Sequence, residues 1–290
     1  MIKELRIEDN FFPQKNTVNL QGRLSIWDSP KVMGIVNLTS DSFFEQSRIQ
    51  FSDLEFGKRI EKIIQDGADM LDFGGYSSRP GAKDISIEEE LSRVIPAIQW
   101  VAKKYPYITI SVDTFRSEVA RESVLNGAHI VNDISAGNLD SKMIKTVGEL
   151  RVPYIAMHMR GNPRTMQNHT EYSDLIPEIL YYFSYKLEKF RFFGINDVII
   201  DVGFGFAKSV DQNYQLLKNL AAFKSLSCPI LVGISRKSMI YKTLGINPDE
   251  ALNGTTALHM VALQNGGNIL RVHDVKEAKE TIELYKKLYP

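Results

Sequence analysis

The sequence predicts an α/β protein built as a single (β/α)8 TIM barrel with a short N-terminal hairpin or cap. Two observations predict this fold. Eight short apolar runs recur along the chain, each followed by a polar loop and an amphipathic stretch, and the runs are almost continuously apolar. Strands buried on both faces of a parallel sheet have that pattern, and eight β/α units in 290 residues match this barrel. A doubly wound open sheet is the alternative, disfavoured because no Gly-x-Gly-x-x-Gly follows the first run.

The predicted strands span residues 32–36, 70–73, 108–112, 129–131, 154–157, 198–202, 230–232 and 269–272. Helices are predicted between them because N-terminal capping signatures precede four of the amphipathic stretches: Ser52-x-x-Glu55, Ser86-x-x-Glu89, Ser209-x-x-Gln212 and Asp274-x-x-Glu277. Several helices are predicted to end on a glycine just before the next strand, at Gly67, Gly127, Gly194 and Gly266. Residues 1–31 are assigned to a cap over the bottom of the barrel and residues 32–290 to the barrel itself.

The composition excludes several functional classes. The 35 basic and 35 acidic residues cancel, so there is no global charge that would favour nucleic acid or anionic lipid. The single cysteine, Cys228, cannot form an intrachain disulfide, which suits a reducing compartment, and we interpret it as a small buried hydrophobe. No apolar stretch is long enough to span a membrane, and the first residues lack the apolar centre of a signal peptide. We therefore expect a cytoplasmic protein.

All eight predicted strand ends carry polar residues, and the active site of a TIM barrel lies at those ends. Asp113, Asn132 and Asp201 directly adjoin apolar strands, where a carboxylate is costly unless a specific partner stabilises it. Lys237 and Arg271 follow later strands. Together these side chains predict a convergent pocket suited to a planar heterocycle rich in hydrogen-bonding groups, with an anionic group nearby.

Each of these residues also has a purely structural interpretation. Asp113 followed by Thr114 is also typical of a helix N-cap, and Asn132 of a turn. The run 235–238, Ser-Arg-Lys-Ser, is either a solvated loop or a helix N-terminus facing an anion. No His or Cys pair has zinc spacing, so any metal should be a hard cation held by oxygen ligands and substrate phosphates.

The loops resemble the signature segments of dihydropteroate synthases along the chain from Lys31 onward. Seven segments match in order, each at the end of a strand-like run: residues 33–43, 72–82, 112–114, 131–133, 157–161, 232–238 and 271–274. The resemblance implies a transferase of folate biosynthesis that condenses 6-hydroxymethyl-7,8-dihydropterin pyrophosphate with p-aminobenzoate, with Mg²⁺ as cofactor. The family is the target of sulfonamides and is usually a homodimer, here through outer helices within residues 249–263 and 274–289.

The resemblance also implies roles for individual residues. Asp113, Lys237 and Arg271 are expected to be catalytic. The expected pterin site comprises Asp113, Asn132, Met157, Asp201, Gly233, Lys237 and Arg271. The expected pyrophosphate site comprises Asn37, Arg271 and His273, with Asn37 as the Mg²⁺ ligand. The expected p-aminobenzoate site comprises Ser78, Arg79, Pro80, Phe206, Lys237 and Ser238.

The chain departs from the family pattern in its loops. Tyr76 replaces the usual Glu and Ser78 the usual Thr, while Val202 and Ala207 replace a Pro and a Gly. The first loop also differs at Ser40 and at residues 44–46. We expect altered loop stiffness and a modest change in affinity for p-aminobenzoate or sulfonamides, but no lost pterin contact.

The sequence leaves two other functions open. A pterin-dependent methyltransferase shares the barrel and the pterin pocket, but it lacks the 77–81 and 235–238 loops. A non-catalytic paralogue would bind pterin without turnover. Release of pyrophosphate that depends on p-aminobenzoate distinguishes both from a synthase.

Overall fold

The computed structural model describes residues 17–20, 22–38, 53–77 and 84–289. The strands are β1 (Thr17–Leu20), β2 (Arg23–Ile26), β3 (Lys31–Asn37), β4 (Met70–Gly74), β5 (Thr109–Asp113), β6 (Ile130–Asp133), β7 (Tyr154–Met157), β8 (Val198–Asp201), β9 (Ile230–Val232) and β10 (Ile269–Val272). The α-helices are α1 (Asp53–Gln65), α2 (Ile87–Lys104), α3 (Ser117–Leu125), α4 (Met143–Leu150), α5 (Leu175–Phe192), α6 (Val210–Lys218), α7 (Ser238–Leu244), α8 (Leu252–Gln264) and α9 (Val275–Leu288). Short 3₁₀ helices cover Met166–Asn168, Leu220–Leu226 and Pro248–Glu250.

Strands β3 to β10 form a closed parallel barrel, in which each strand pairs with the next and β10 returns to pair with β3. This confirms the predicted (β/α)8 barrel. All eight predicted strands are present, with ends displaced by one or two residues at most. The agreement follows from the apolar runs, since a strand enclosed by helices on one side and by the barrel interior on the other is buried on both faces.

The barrel interior has an apolar bottom layer. Met33, Met70, Ile130, Ile155, Ile199, Leu231 and Ile269 form one buried cluster inside the barrel. Side chains on a strand alternate between its two faces, so the residue two positions later points the same way. Those later positions are occupied by Asp72, Asn132, Met157, Asp201, Gly233 and Arg271 among others. The strand parity therefore places five of the seven predicted pterin residues in one layer above the apolar floor: Asn132, Met157, Asp201, Gly233 and Arg271.

The hairpin formed by β1 and β2 closes the bottom of the barrel. The two strands pair antiparallel from Thr17 with Ile26 to Leu20 with Arg23. Val18 and Trp27 are buried in the same cluster as the bottom layer of the barrel. The predicted N-terminal hairpin is thus confirmed, whereas residues 1–16 lie outside the described part, and the division of the chain into 1–31 and 32–290 stays a prediction.

Most of the predicted helix ends are confirmed. Ser86 accepts a hydrogen bond from the backbone N–H of Glu89, and Ser209 and Gln212 form a full capping box. The four predicted glycine stops have positive φ angles, between 78° at Gly194 and 115° at Gly127. Asp274 precedes α9 without a capping bond, because its carboxylate binds Arg236 instead. Ser52 lies outside the described residues. Over the ranges that are described, no helix combines the length and apolarity needed to cross a membrane.

Candidate functional site

The guanidinium of Arg271 lies between two carboxylates at the mouth of the barrel. Its Nε donates to Asp72 Oδ2 at 2.6 Å, and its Nη2 donates to Asp113 Oδ2, also at 2.6 Å. Asp72 Oδ2 accepts a second hydrogen bond, from Asn132 Nδ2 at 2.9 Å. Strands β4, β5, β6 and β10 thereby supply one connected polar network. Charge-assisted bonds of this kind fix the plane of a guanidinium strongly.

The network shifts the protonation of its members. Burial raises the pKa of Asp113 to about 7, and the positive charge of Arg271 opposes this shift only in part. Burial alone would lower the pKa of Arg271. The negative charges of Asp72 and Asp113 outweigh this effect, so the pKa of Arg271 is raised. Arg271 therefore stays cationic, while Asp113 exchanges its proton near neutral pH. Perturbed groups of this kind are typical of functional sites.

Asp201 and Lys237 form the other charged side of the site. Burial raises the pKa of Asp201, opposed by the charge of Lys237. Burial lowers the pKa of Lys237 to about 8, opposed by the charge of Asp201. The Lys237 ammonium donates to the backbone oxygen of Phe204 and lies 4.6 Å from the centre of the Phe206 ring. Cation–π contact at this distance is favourable, so Lys237 links the barrel interior to the β8–α6 loop.

The remaining predicted residues lie around this centre. Asn132 and Met157 are buried at 4% and 3% exposure, and Gly233 is also buried at the end of β9. Asn37 ends β3 in register with Gly74, which in turn pairs with Asp113. His273 is exposed just after β10, and its backbone N–H donates to Ser235 Oγ at 3.3 Å. Ser238 is the first residue of α7.

Ser78, Arg79 and Pro80, assigned by the resemblance to p-aminobenzoate, lie outside the described residues. The departures in the first loop, at Ser40 and 44–46, lie outside them as well. Tyr76 is described: its ring contacts Phe115 edge-on at 5.0 Å, and the Arg116 guanidinium lies 5.2 Å from its centre. Arg116 also binds the buried Glu90. Tyr76 therefore packs against the β5–α3 loop.

The structural alternatives for Asp113 and Asn132 are wrong. Helix α3 begins at Ser117, three residues after Thr114, so Asp113 caps no helix. Asn132 is a strand residue whose amide binds Asp72. The two basic residues of the run 235–238 have different surroundings. Arg236 makes a bidentate ion pair with Asp274, with both N–O distances at 2.8 Å, whereas Lys237 faces the site.

Sequence reasoning missed three buried polar residues. It assigned no role to Asp72, although its carboxylate joins Arg271 to Asn132 and is fully buried. The signal was present, because Asp72 interrupts the apolar run of β4 as Asp201 interrupts that of β8. The other two are His158 and Lys208, whose side chains meet behind the β8–α6 loop, with Lys208 Nζ 3.1 Å from His158 Nδ1. No signal in the sequence pairs residues so far apart in the chain.

The donors near β3 suit a hard cation. A Cβ placed on Gly74 would lie 3.9 Å from Asn37 Oδ1 and 3.8 Å from Asp113 Oδ2, so two oxygen donors flank this glycine. Across the described ranges, no group of three or more His, Cys, Asp and Glu side chains is placed to hold a metal. Mg²⁺ is commonly held by one or two protein oxygens together with substrate phosphates and water, and this donor set fits that mode rather than a complete protein cage.

Comparison with known proteins gives one consistent result. The family model described as "Pterin binding enzyme" matches residues 33–273. The chain is 42% identical to a dihydropteroate synthase of Escherichia coli over 257 residues, which is 88% of this chain and 90% of that protein. The structure of Xanthomonas albilineans dihydropteroate synthase with 4-aminobenzoic acid superposes with a TM-score of 0.86 at 35% identity, covering 95% of this chain and 98% of that one. The Yersinia pestis dihydropteroate synthase with a sulfonamide drug complex gives a TM-score of 0.85 at 34% identity, covering 94% and 98%.

Proposed function

The chain belongs to the pterin-binding enzymes and, among them, to the dihydropteroate synthases, and on this premise we propose how its own residues carry out the reaction. The reaction transfers a pterinylmethyl group from its pyrophosphate ester to the amine of p-aminobenzoate, giving 7,8-dihydropteroate and pyrophosphate. The observation that carries the proposal is the fixed guanidinium of Arg271 between Asp72 and Asp113, with Asn132, Asp201 and Lys237 around the same barrel mouth.

The hydrogen-bonding polarity of the pocket suits the pterin ring. Because Asn132 Nδ2 donates to Asp72, its Oδ1 remains to accept from a ligand. Asp201 is a further acceptor, whereas Lys237 is a donor. A ring with several N–H donors and a carbonyl acceptor, as in a dihydropterin, satisfies both kinds of group. Arg271 presents a planar, weakly hydrated cation on which a flat ring can stack.

The carboxylates would stabilise the charge that develops during substitution. The bond between the methylene carbon and the pyrophosphate oxygen breaks, and the pyrophosphate leaves with the bonding electrons. Positive charge then spreads over the pterin, and the ionised forms of Asp113 and Asp201 oppose it from fixed positions, where preorganised charges are most effective. A cationic ring beside Asp113 would draw its raised pKa downward and keep it ionised at this step. The arylamine nitrogen then bonds to the methylene carbon and loses a proton.

The p-aminobenzoate would bind on the side of the pocket formed by the β8–α6 and β9–α7 loops. Phe206 offers an aromatic face, and Lys237 and Ser238 lie at the start of α7. Ser78, Arg79 and Pro80 would complete this half of the site.

Arg271, His273 and Asn37 would bind the pyrophosphate, and Asn37 would hold Mg²⁺ with it. When bound, the cation supplies charge that offsets the negative charge of the leaving pyrophosphate. Asn37 Oδ1 contributes one hard oxygen, and the nearby Asp113 carboxylate keeps the electrostatic environment favourable for a cation. The guanidinium of Arg271 lies close enough to Asp113 to serve the ring and the leaving group together.

A homodimer through the outer helices is part of the proposal. Leu284 and Leu288 on α9 are exposed at 63% and 64%, and Leu244 at the end of α7 at 55%. Exposed leucines on outer helices suit a symmetric apolar contact. The cytoplasmic location stays a prediction.

Pyrophosphate release by the purified protein tests the proposal. We expect release that requires the dihydropterin pyrophosphate, Mg²⁺ and p-aminobenzoate together, and that falls by about a hundredfold or more in Lys237→Ala because an electrostatic contact to the reacting centre is lost. Lys242→Ala, an exposed position on helix α7 just after Lys237, is the matched control and should keep full activity. Tight pterin binding without release would contradict the proposal and support the non-catalytic paralogue, whereas methyl transfer from a methylated pterin would support the methyltransferase.

A further inference from the structure

Lys208 is a buried lysine near the end of the β8–α6 loop. Its side chain is among the least exposed charged groups that the structure describes, at 4%. Three acceptors surround its Nζ: His158 Nδ1 at 3.1 Å, the Gly203 oxygen at 3.0 Å and the Phe206 oxygen at 3.1 Å. An ammonium has three N–H donors, so this geometry satisfies each of them once.

The surroundings indicate which form of each partner is present. Burial, followed by the charge of Lys208, lowers the pKa of His158 well below its ordinary value, so the ring is neutral. A neutral imidazole that accepts at Nδ1 carries its proton on Nε2. Burial also lowers the pKa of Lys208 to about 7, and the nearby charge of Asp201 opposes this shift while Lys237 and Arg160 add to it.

The loop that Lys208 spans has an unusual backbone. Gly203, Gly205 and Ala207 all have left-handed φ angles, of 75°, 79° and 50°. A non-glycine residue in this region is strained by roughly 1–2 kcal/mol. Gly203 also lies directly against β7, because a Cβ on it would come within 2.0 Å of the His158 backbone oxygen. Such a conformation persists only where surrounding contacts hold it, and the Lys208 ammonium joins both ends of the turn.

The same loop forms one side of the proposed arylamine site. The Lys237 ammonium lies 4.6 Å from the centre of the Phe206 ring and donates to the Phe204 backbone oxygen. Lys208 in turn binds the backbone of Phe206 from behind. The position of the Phe206 ring, and of the oxygen that receives Lys237, is therefore set by a contact outside the pocket.

We infer that Lys208, fixed by His158, is a positioning residue for the arylamine half of the site. It holds the β8–α6 loop so that Phe206 and Lys237 meet the second substrate, and none of its three hydrogen bonds goes to Asn132, Asp113 or Arg271 of the pterin half. This inference rests on the proposed function, since it takes Phe206 and Lys237 to bind p-aminobenzoate.

The test compares the two substrates in full-length Lys208→Met, which keeps the length of the side chain and removes its donors. Loss of hydrogen bonds to a charged group should raise the KM for p-aminobenzoate about tenfold or more. Binding of the dihydropterin pyrophosphate, measured by calorimetry without p-aminobenzoate, should change clearly less than the KM for p-aminobenzoate, because Lys208 donates no hydrogen bond to a strand residue of the pterin half and only its charge near Asp201 is lost.

Lys186→Met is the matched control. Lys186 is another buried lysine, at 5% exposure, and its Nζ donates to the Ala136 oxygen and to Asn138 Oδ1 away from the β8–α6 loop. It should lower the melting temperature without changing the KM for p-aminobenzoate. A second pair covers the case in which Lys208→Met does not fold: His158→Leu removes the acceptor, whereas His158→Asn replaces it with an amide oxygen. We expect the KM for p-aminobenzoate to rise in His158→Leu and to return most of the way to the wild-type value in His158→Asn.

Three results separate the outcomes. An unchanged KM for p-aminobenzoate in folded, active Lys208→Met refutes the inference. An equal loss of affinity for both substrates, if Lys186→Met shows it too, also refutes the inference, since that pattern reflects reduced stability alone. Turnover of the wild-type protein tests the proposed function separately: if it releases no pyrophosphate in the presence of p-aminobenzoate, the proposed function fails, and the inference fails with it.

Discussion

Asp72→Asn tests whether the pterin half of the site depends on a carboxylate inside the barrel wall. Asparagine has nearly the same size as aspartate, so the substitution opens no cavity. Its amide oxygen can take the place of Oδ2 and accept from Arg271 and Asn132, but the negative charge is lost. The amide nitrogen then occupies the position of Oδ1, which is buried without a hydrogen-bonding partner among the described residues. One charge is removed and one buried donor is left unsatisfied.

The magnitude follows from these two changes. A hydrogen bond to a charged group contributes about 1.5–3 kcal/mol and a neutral one about 0.5–1.5 kcal/mol, so the bond to Arg271 loses roughly 1 kcal/mol. An unsatisfied buried donor costs about 1–3 kcal/mol. Because Arg271 keeps its bond to Asp113, we expect the free energy of unfolding to fall by roughly 2–3 kcal/mol, within these ranges. The less firmly held Arg271 and Asn132 should lower kcat/KM for the dihydropterin pyrophosphate about tenfold to a hundredfold.

The assay combines urea unfolding with steady-state kinetics at saturating p-aminobenzoate. The kinetic effect should carry a pH signature, because the charge of Asp72 helps to raise the pKa of Asp113, and its loss should move the Asp113 titration toward acid. Asp133→Asn is the control for stability and for kcat/KM at a single pH; the charge of Asp133 also raises the pKa of Asp113, but less than that of Asp72 does. Asp133 is also fully buried, but it holds Ser135, Gly137 and Tyr154 behind the barrel. A kcat/KM in Asp72→Asn equal to the wild-type value, or equal to that of Asp133→Asn, would refute the reasoning.

Further predictions concern pH and the loops. The pKa of Lys237 is lowered by burial to about 8, so kcat/KM should fall above that pH, and Lys237→Arg should remove this alkaline limb; a limb that persists would contradict the assignment. The folded-state pKa of Asp113 is raised by burial to about 7, so the stability it contributes is present below its unfolded pKa and lost as the pH rises toward 7; unfolding of Asp113→Asn should lack this slope. Ala207→Gly should change stability by less than about 1 kcal/mol, because relief of left-handed strain offsets the lost methyl burial and the added chain entropy; a larger change in urea unfolding argues against that balance. Ser78→Thr should modestly change the inhibition constant of a sulfonamide, and equal constants for both proteins would rule that out.

The fold was predictable because its signal is local and repeated. Each of the eight strands carries its own apolar run, and each strand length is confirmed to within two residues. The strand-end residues of the site, such as Asn132 and Asp201, were predictable for the same reason, since a polar group beside a buried strand stands out in the sequence. The Arg271 side chain reaches across the barrel to Asp113, and only closure of the barrel makes that contact.

The missed residue Asp72 shows where the reasoning from strand ends stops. It lies two residues before the end of β4, and so a search confined to positions after each strand passes over it. Strand parity would have found it, because Met70 belongs to the apolar floor and Asp72 points the same way one layer higher. Lys208 and His158 are different, because they are 50 residues apart and no parity or motif relates them.

The two halves of the site are therefore held by different physical means. The pterin half consists mostly of strand residues, whose positions are fixed by barrel register and by the shared carboxylate of Asp72, and it shares Lys237 with the arylamine half. The arylamine half consists of loop residues, held from behind by contacts such as that of Lys208 with the Phe206 backbone. A substitution on a strand disturbs a layer of side chains shared around the whole barrel, whereas a loop can accommodate one. Ala207 is an example: it keeps a left-handed backbone, and its carbonyl accepts a hydrogen bond from the Tyr172 hydroxyl. The departures that the structure describes, Tyr76, Val202 and Ala207, lie outside strands and helices. Variation in this chain should accordingly alter affinity for arylamines and their mimics before it alters recognition of the pterin.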